Sequence, residues 1–228
     1  MRTTIENIQI LYEDNHIIIV NKRVGDIIQG DKTGDTPLSE IVKEYIQKKY
    51  QKPGNVFLGV VHRIDRPTSG IVIFARTSKA LERLNEMLRD HEIEKIYWAV
   101  VKNKLPKSAD TLIHFLKKNP KNNKSTTYST AIEGSKKAVL HYQLLKKLDN
   151  YSLLEINLET GRHHQIRCQL AAIGCPIKGD LKYGFPRSNA DGGIHLHARK
   201  IEFTHPVSNQ QISLLAPLPD DAIWKLCE

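Results

Sequence analysis

The stretch "VVHRIDRPTSGIVIFA", residues 60–75, sets the frame for the whole chain. Two apolar, strand-like flanks enclose a polar turn that runs from His62 to Gly70. The second flank, "GIVIFA", is apolar at every position after its glycine, the pattern of a strand buried on both faces. Inside the turn Asp65 stands between Arg63 and Arg66, with Pro67, Thr68 and Ser69 following. A carboxylate beside buried strands is costly unless cations or hydrogen-bond donors compensate it. Two roles fit such an aspartate. One is a turn residue held by local hydrogen bonds, the usual fate of Asp near Pro and Gly. The other is an ionised group kept for nucleophilic or general-base work, with arginine or the Thr68 and Ser69 hydroxyls as its partners.

Working outward, "IQILYE" and "HIIIVN" read as two strands around the turn signal Asp14-Asn15. "TPLSEIVKEYIQKKY" reads as a helix with Pro37 at its start and Leu38, Ile41, Val42, Tyr45 and Ile46 on one face. After the turn, "SKALERLNEMLRDHE" predicts a helix opened by Thr77 or Ser78, with Leu81, Leu84 and Leu88 inward. "KIYWAVVKN" is the next strand. "AVLHYQLLKKL" and "YSLLEINLE" form a hairpin joined at Asp149-Asn150. "GRHHQIRCQLAAIG" predicts a helix stopped by Gly174, with Ile166, Leu170 and Ile173 inward. "GIHLHARKIEF" and "QISLLAP" close the chain as strands. Strands outnumber helices and hairpin links predominate, so the fold class is α+β, built on a mixed, largely antiparallel sheet with flanking helices. No Gly-, Pro- or Ser-rich linker divides the chain, and one domain is expected over residues 1–228.

Composition narrows the function classes. Charged residues make up 26% and hydrophobic ones 40% of 228 residues, ordinary for a globular protein. No apolar run approaches the roughly 20 residues of a membrane helix, and the first residues, "MRTTIENIQILYED", lack an apolar signal region. Three cysteines without a CxxC pair point to a reducing compartment, hence the cytoplasm. The net charge of +9 is uneven: residues 102–147 hold 11 lysines against Asp110 and Glu133, while the remaining 23 basic and 23 acidic residues cancel. Clustered lysine, including "KKNPKNNK" at 117–124, attracts polyanions such as nucleic acid. A solvated, merely solubilising loop is the alternative.

Cofactor signatures are sparse. His164, Cys168, Cys175, His195 and His197 are possible metal ligands, but HExxH, paired CxxC and the zinc-deaminase pattern are absent, so no metal is expected. "HRID" resembles the HRD loop of kinases, yet Ile64 separates Arg63 from Asp65, and no glycine-rich loop, DFG or APE accompanies it.

"HRIDRPTSG" resembles the catalytic motif of the RluA-type pseudouridine synthases, written HRLDxxTSG. Four further blocks occur in the family's order: "ILYEDNHIIIVNKRVG", "EKIYWAVV", "LETGRHHQIRCQLAAIGCPIKGDLKYG", and "LHARKIEFTHP" followed by "APLP". The resemblance implies the pseudouridine synthase catalytic fold with a central cleft. It also implies an isomerase that detaches uracil from ribose in RNA, turns it and rejoins it through carbon. By that similarity Asp65 is the catalytic aspartate, attacking the sugar or removing a sugar proton. Tyr97 packs against the uracil, Arg167 pairs with Asp65, and Arg63 helps extrude the target nucleotide. RNA contact is expected from His62, Arg63, Arg66, Arg162, Lys117, Lys118 and Lys121, with rRNA or tRNA as the partner. No cofactor is implied, because the isomerisation is redox-neutral, and the default oligomeric state is a monomer. An RNA-binding protein with little catalysis is the competing reading. Two departures stand out: the family's KPxG is "KRVG" here, with Arg23 in place of proline, and the threonine of its GRTHQ pattern is His163. Many members also carry a small N-terminal RNA-binding domain, which is not expected in this chain.

Overall fold

A computed structural model describes residues 2–227. In chain order the strands and helices are β1 Ile10–Glu13, β2 Ile17–Lys22, α1 Leu38–Lys49, β3 Gly59–Val60, β4 Ser69–Ala75, α2 Ser78–Arg89 and β5 Glu94–Val101. There follow β6 Ala109–Asn119, β7 Lys124–Tyr128, β8 Lys136–Lys147, β9 Ser152–Leu158, α3 Gln165–Ala172, a 3-10 turn at Leu181–Tyr183, β10 Leu196–Thr204, β11 Gln211–Leu215 and α4 Ala222–Lys225. The chain divides into two compact units. The first takes the chain up to Glu94 together with Ala198–Pro219, and the second takes Lys95–His197 together with the segment from Asp220 onward. The fold is α+β, with antiparallel pairing in both units and few helices.

In the first unit the strand order is β1-β2-β4-β10, with β3 on β4 and β11 on β10. β2 and β4 pair from Ile17↔Ala75 to Lys22↔Gly70. Ile18, Val20, Val72 and Phe74 point to one face and pack on Leu38, Val42 and Ile46 of α1. Ile17, Ile19, Ile71 and Ile73 are also fully or almost fully buried, so both faces are covered and the apolar runs are continuous. The Thr77 hydroxyl caps α2 by accepting from the Ala80 N–H at 3.2 Å. The buried side of α2 is Ala80, Leu84 and Met87 rather than Leu81, Leu84 and Leu88. Leu81 and Leu88 are half-buried on its flank, because the side chain of Leu81 is taken up against Gly59 of β3.

In the second unit the order is β5-β9-β8-β6-β7. The lysine-rich tract is not a loop. β6 and β7 form a hairpin, paired from Phe115↔Tyr128 to Asn119↔Lys124, and β6 lies against β8. Leu112 and Leu116 turn inward from β6 while the lysines stay on the surface. α3 begins at Gln165, later than the sequence pattern suggested, because His164 adopts a left-handed conformation (φ 54°). Gly174 ends this helix as expected, with a φ of 76°. Its N–H meets the Ala171 carbonyl, and Cys175 N–H meets that of Leu170, both at 3.0 Å, a Schellman closure. Ile166 and Leu170 are buried, whereas Ile173 is only half-buried at the cap.

Candidate active site

In the first unit, Asp65 opens a turn closed by the Thr68 N–H on its own carbonyl at 3.0 Å. Asp65 is half-buried, and Thr68 and Ser69 behind it are buried. The turn rests on Lys22, a residue that the sequence reading gave no role. Lys22 is 1% exposed, and its Nζ donates to the carbonyls of Thr68 (2.7 Å), Arg23 (2.9 Å) and Arg66 (3.1 Å). Gly25 N–H adds a second donor to the Arg66 carbonyl at 3.0 Å. Burial pulls the Lys22 ammonium down to about 7, while the carboxylates of Asp26 and Asp65 hold it up and Arg66 lowers it further. An ammonium has three N–H donors, and here three carbonyls of this loop region receive them.

Gly70 fixes the other end of the turn. Its φ is 111°, and a Cβ there would overlap the Ala198 carbonyl oxygen and lie 2.5 Å from the Ala198 nitrogen. Only glycine lets the backbones approach this closely. His62 is half-buried, and its Nε2 accepts the Ile73 N–H at 3.2 Å, which ties the start of the turn to β4.

The two flanking arginines have other partners. Arg66 Nη2 pairs with Asp35 at 2.6 Å, and Arg2 pairs with the same carboxylate. Arg63 is exposed and only 3.4 Å from the Gln29 side-chain oxygen. The Thr68 hydroxyl is buried and makes no hydrogen bond among the described residues, so it is not one of the donors considered for Asp65. Arg23, standing where the family has proline, reaches back to the Asn7 carbonyl at 3.0 Å.

In the second unit Tyr97 is buried in β5, in register with Ile156 of β9. Arg167 lies on the buried side of α3 and forms a two-pronged pair with Asp180: Nε to Oδ2 at 2.7 Å and Nη2 to Oδ1 at 2.8 Å. Both side chains are almost wholly enclosed. The guanidinium also sits 5.1 Å from the centre of the Tyr183 ring. Asp180 and Tyr183 both fall in the family-like "GDLKYG", but nothing in their spacing announces a partner for a residue 13 or more positions earlier.

Tyr183 joins this arginine to the lysine-rich hairpin. Its hydroxyl accepts the Ser125 N–H at 2.8 Å and makes a hydrogen bond with His164 Nδ1 at 2.9 Å. Burial, with Arg167, His163, Lys182 and Lys118 nearby, pushes His164 down to about 2. Burial likewise raises the Tyr183 hydroxyl, so it keeps its proton. His163 stacks on His164 at 3.8 Å between ring centres, and its Nδ1 lies 2.9 Å from the Ser125 hydroxyl. The departure from the family's threonine thus docks the helix entry onto β7.

Of the other residues expected to meet RNA, Lys117, Lys118 and Lys121 are exposed at the hairpin tip. Arg162 is exposed as well, with its Nε on the Lys137 carbonyl at 3.0 Å. Two of the residues weighed as metal ligands, Cys168 and His195, have protein partners. Cys168 Sγ donates to the Gln165 carbonyl, and His195 meets Asp221 at 2.8 Å and Asn189 at 2.9 Å. Among the described residues no group of three or more His, Cys, Asp or Glu could hold a metal ion.

A family model described as RNA pseudouridylate synthase matches residues 16–172, a span that contains Asp65, Tyr97 and Arg167. An uncharacterized RNA pseudouridine synthase of Synechocystis is 33% identical over 93% of this chain and 66% of its own length. The ribosomal large subunit pseudouridine synthase D of Xylella fastidiosa is 32% identical over 94% of this chain and 67% of its own. The chain thus spans about two thirds of the length of these curated relatives. The solved structure of human RNA pseudouridylate synthase domain containing 4 shares the fold, with a TM-score of 0.79 at 22% identity, covering 96% of this chain and 92% of that one. With the family model matching more than half of the sequence, and with relatives above 30% identity along nearly all of it, the chain belongs to the RNA pseudouridylate synthase family of isomerases, and its motifs are those of the RluA type.

Proposed function

We propose that this chain converts uridine to pseudouridine in RNA, with Asp65 as the catalytic aspartate. The supporting observation is the turn itself. Asp65 is half-exposed on a loop whose backbone is held from within by the buried Lys22 ammonium and locked at Gly70. A rigid loop that presents one accessible carboxylate is what attack on a sugar carbon or removal of a sugar proton requires. Tyr97 is assigned to the uracil, Arg167 to Asp65, and the exposed Arg63 to the stack from which the nucleotide leaves. The chain is taken as a single catalytic domain.

Base extrusion costs a few kcal/mol. Phosphate contacts by Arg66, Arg162, Lys117, Lys118 and Lys121, with His62 beside the turn, offset that cost. The curated relatives named for the large ribosomal subunit favour ribosomal RNA as the substrate, with transfer RNA the alternative. The protein is taken to act in the cytoplasm, as a monomer and without a cofactor.

Incubation with RNA tritiated at uracil C5 tests the assignment. Wild-type protein should release tritium and Asp65→Ala should not. Release undiminished in the variant would sink the catalytic role of Asp65. Salt-sensitive RNA binding with no release from either protein would leave an RNA-binding function alone.

A further inference from the structure

The lysine-rich tract reads as one patch in the sequence, but the fold separates it. β6 spans 11 residues, or about 35 Å at the rise of an extended strand. Lys117, Lys118 and Lys121 lie at its far end, in the hairpin. Lys102, Lys104 and Lys107 lie before its first residue, and Lys147 ends β8, which runs antiparallel beside it. These four lysines surround a cavity of about 660 Å³ between the β5–β6 connection and the β8–β9 turn. That volume suits a ligand of nucleotide size.

The lining is of two kinds. Leu105, Leu144, Leu148 and Tyr151 supply apolar and aromatic surface, and the lysines supply charge. Asp149 is the one carboxylate among the lining residues. Lys107 is paired with Asp110 at 3.1 Å, whereas Lys102, Lys104 and Lys147 have no carboxylate partner among the described residues. An aromatic ring beside unpaired lysines matches the two parts of a nucleotide, a flat base and an anionic phosphate.

We propose that this cavity is a second RNA-binding site. It seats one unpaired nucleotide of the substrate RNA, base against Tyr151 and flanking phosphates on Lys102, Lys104 and Lys147. The inference rests on RNA being the substrate, as proposed above, and places a contact about one strand length from the hairpin lysines.

A fluorescent, mixed-sequence RNA of about 20 nucleotides containing 4-thiouridine tests it, being longer than the roughly 4–16 nucleotides of a single-strand site. Photo-crosslinking should mark the peptides that carry residues 102–108 and 147–152. Lys104→Glu with Lys147→Glu should weaken binding about tenfold. It should also flatten the slope of log affinity against log salt by about 1.4, from two lost phosphate contacts at ~0.7 each. The neutral pair Lys104→Gln with Lys147→Gln should give an intermediate loss, and Tyr151→Ala should abolish the 147–152 crosslink. Crosslinks confined to residues 117–124, or a charge-reversed protein with wild-type affinity and salt slope, would overturn the proposal. Tritium release by wild-type protein reports separately on the catalytic reading, so either can fail alone.

Discussion

Replacing Lys22 by methionine keeps most of the apolar stem and deletes the ammonium under the Asp65 turn. Three hydrogen bonds disappear, to the carbonyls of Thr68, Arg23 and Arg66 at 2.7, 2.9 and 3.1 Å. Bonds to a charged group contribute about 1.5–3 kcal/mol each, which gives a gross loss of roughly 5–9 kcal/mol. Two effects reduce it. The cost of burying an ammonium, several kcal/mol, vanishes with the charge. Two of the three carbonyls also keep a donor: Arg66 retains the Gly25 N–H at 3.0 Å and Arg23 the long Asp26 N–H at 3.4 Å. The net expectation is a destabilisation of about 2–4 kcal/mol. For a chain of this size that lowers the melting temperature by roughly 5–15 °C. Thermal unfolding followed by circular dichroism at pH 6 is the appropriate assay, below the value of about 7 to which burial lowers this lysine. At a temperature where both proteins are folded, tritium release should also fall at least tenfold, about 1.4 kcal/mol of transition-state stabilisation, as the turn loosens. A variant that melts within a degree of wild type and releases tritium at the same rate would refute the claim that Lys22 holds the loop.

Gly70→Ala should cost about 3 kcal/mol or more, since the added methyl meets the Ala198 backbone in a left-handed conformation; an unchanged urea midpoint would contradict this. Asp180→Ala should cost about 3–5 kcal/mol by removing the buried partner of Arg167, and Asp180→Leu with Arg167→Met should cost less than either single change in a double-mutant cycle. His164 is held down to about 2 in the folded protein against 6.5 when unfolded, so below pH 6.5 the unfolded chain binds more protons and stability falls with pH. By pH 4.5 this amounts to about 2.5 kcal/mol, a loss that His164→Gln should largely remove from the pH profile of the urea midpoint.

The strands β2 and β4 were legible because four or more consecutive apolar residues can be buried only inside a covered sheet, and the helices because their apolar spacing and the caps at Thr77 and Gly174 are local signals. The lysine hairpin was not legible. Its strands bury few side chains, and Leu112 and Leu116 alone do not distinguish an exposed strand from a loop. The entry to α3 is not legible because the left-handed turn at His164 is held by Tyr183, 19 residues later, and by Ser125 on the adjoining His163, 38 residues earlier.

An ordered set of short motifs survives without any knowledge of contacts, and it was enough to point to the family and to Asp65, Tyr97 and Arg167. The sequence also showed where the positive charge lies along the chain. The partners of the residues around the site emerge only from the fold. Arg66 turns to Asp35 and Arg167 to Asp180, while a buried lysine 43 positions before Asp65 carries the loop. A hydrogen bond or ion pair depends on distance in space, and each of these partners is brought close by strand pairing or helix packing between distant segments. The same separation of chain from space divides one run of lysines into two groups, at opposite ends of a single strand.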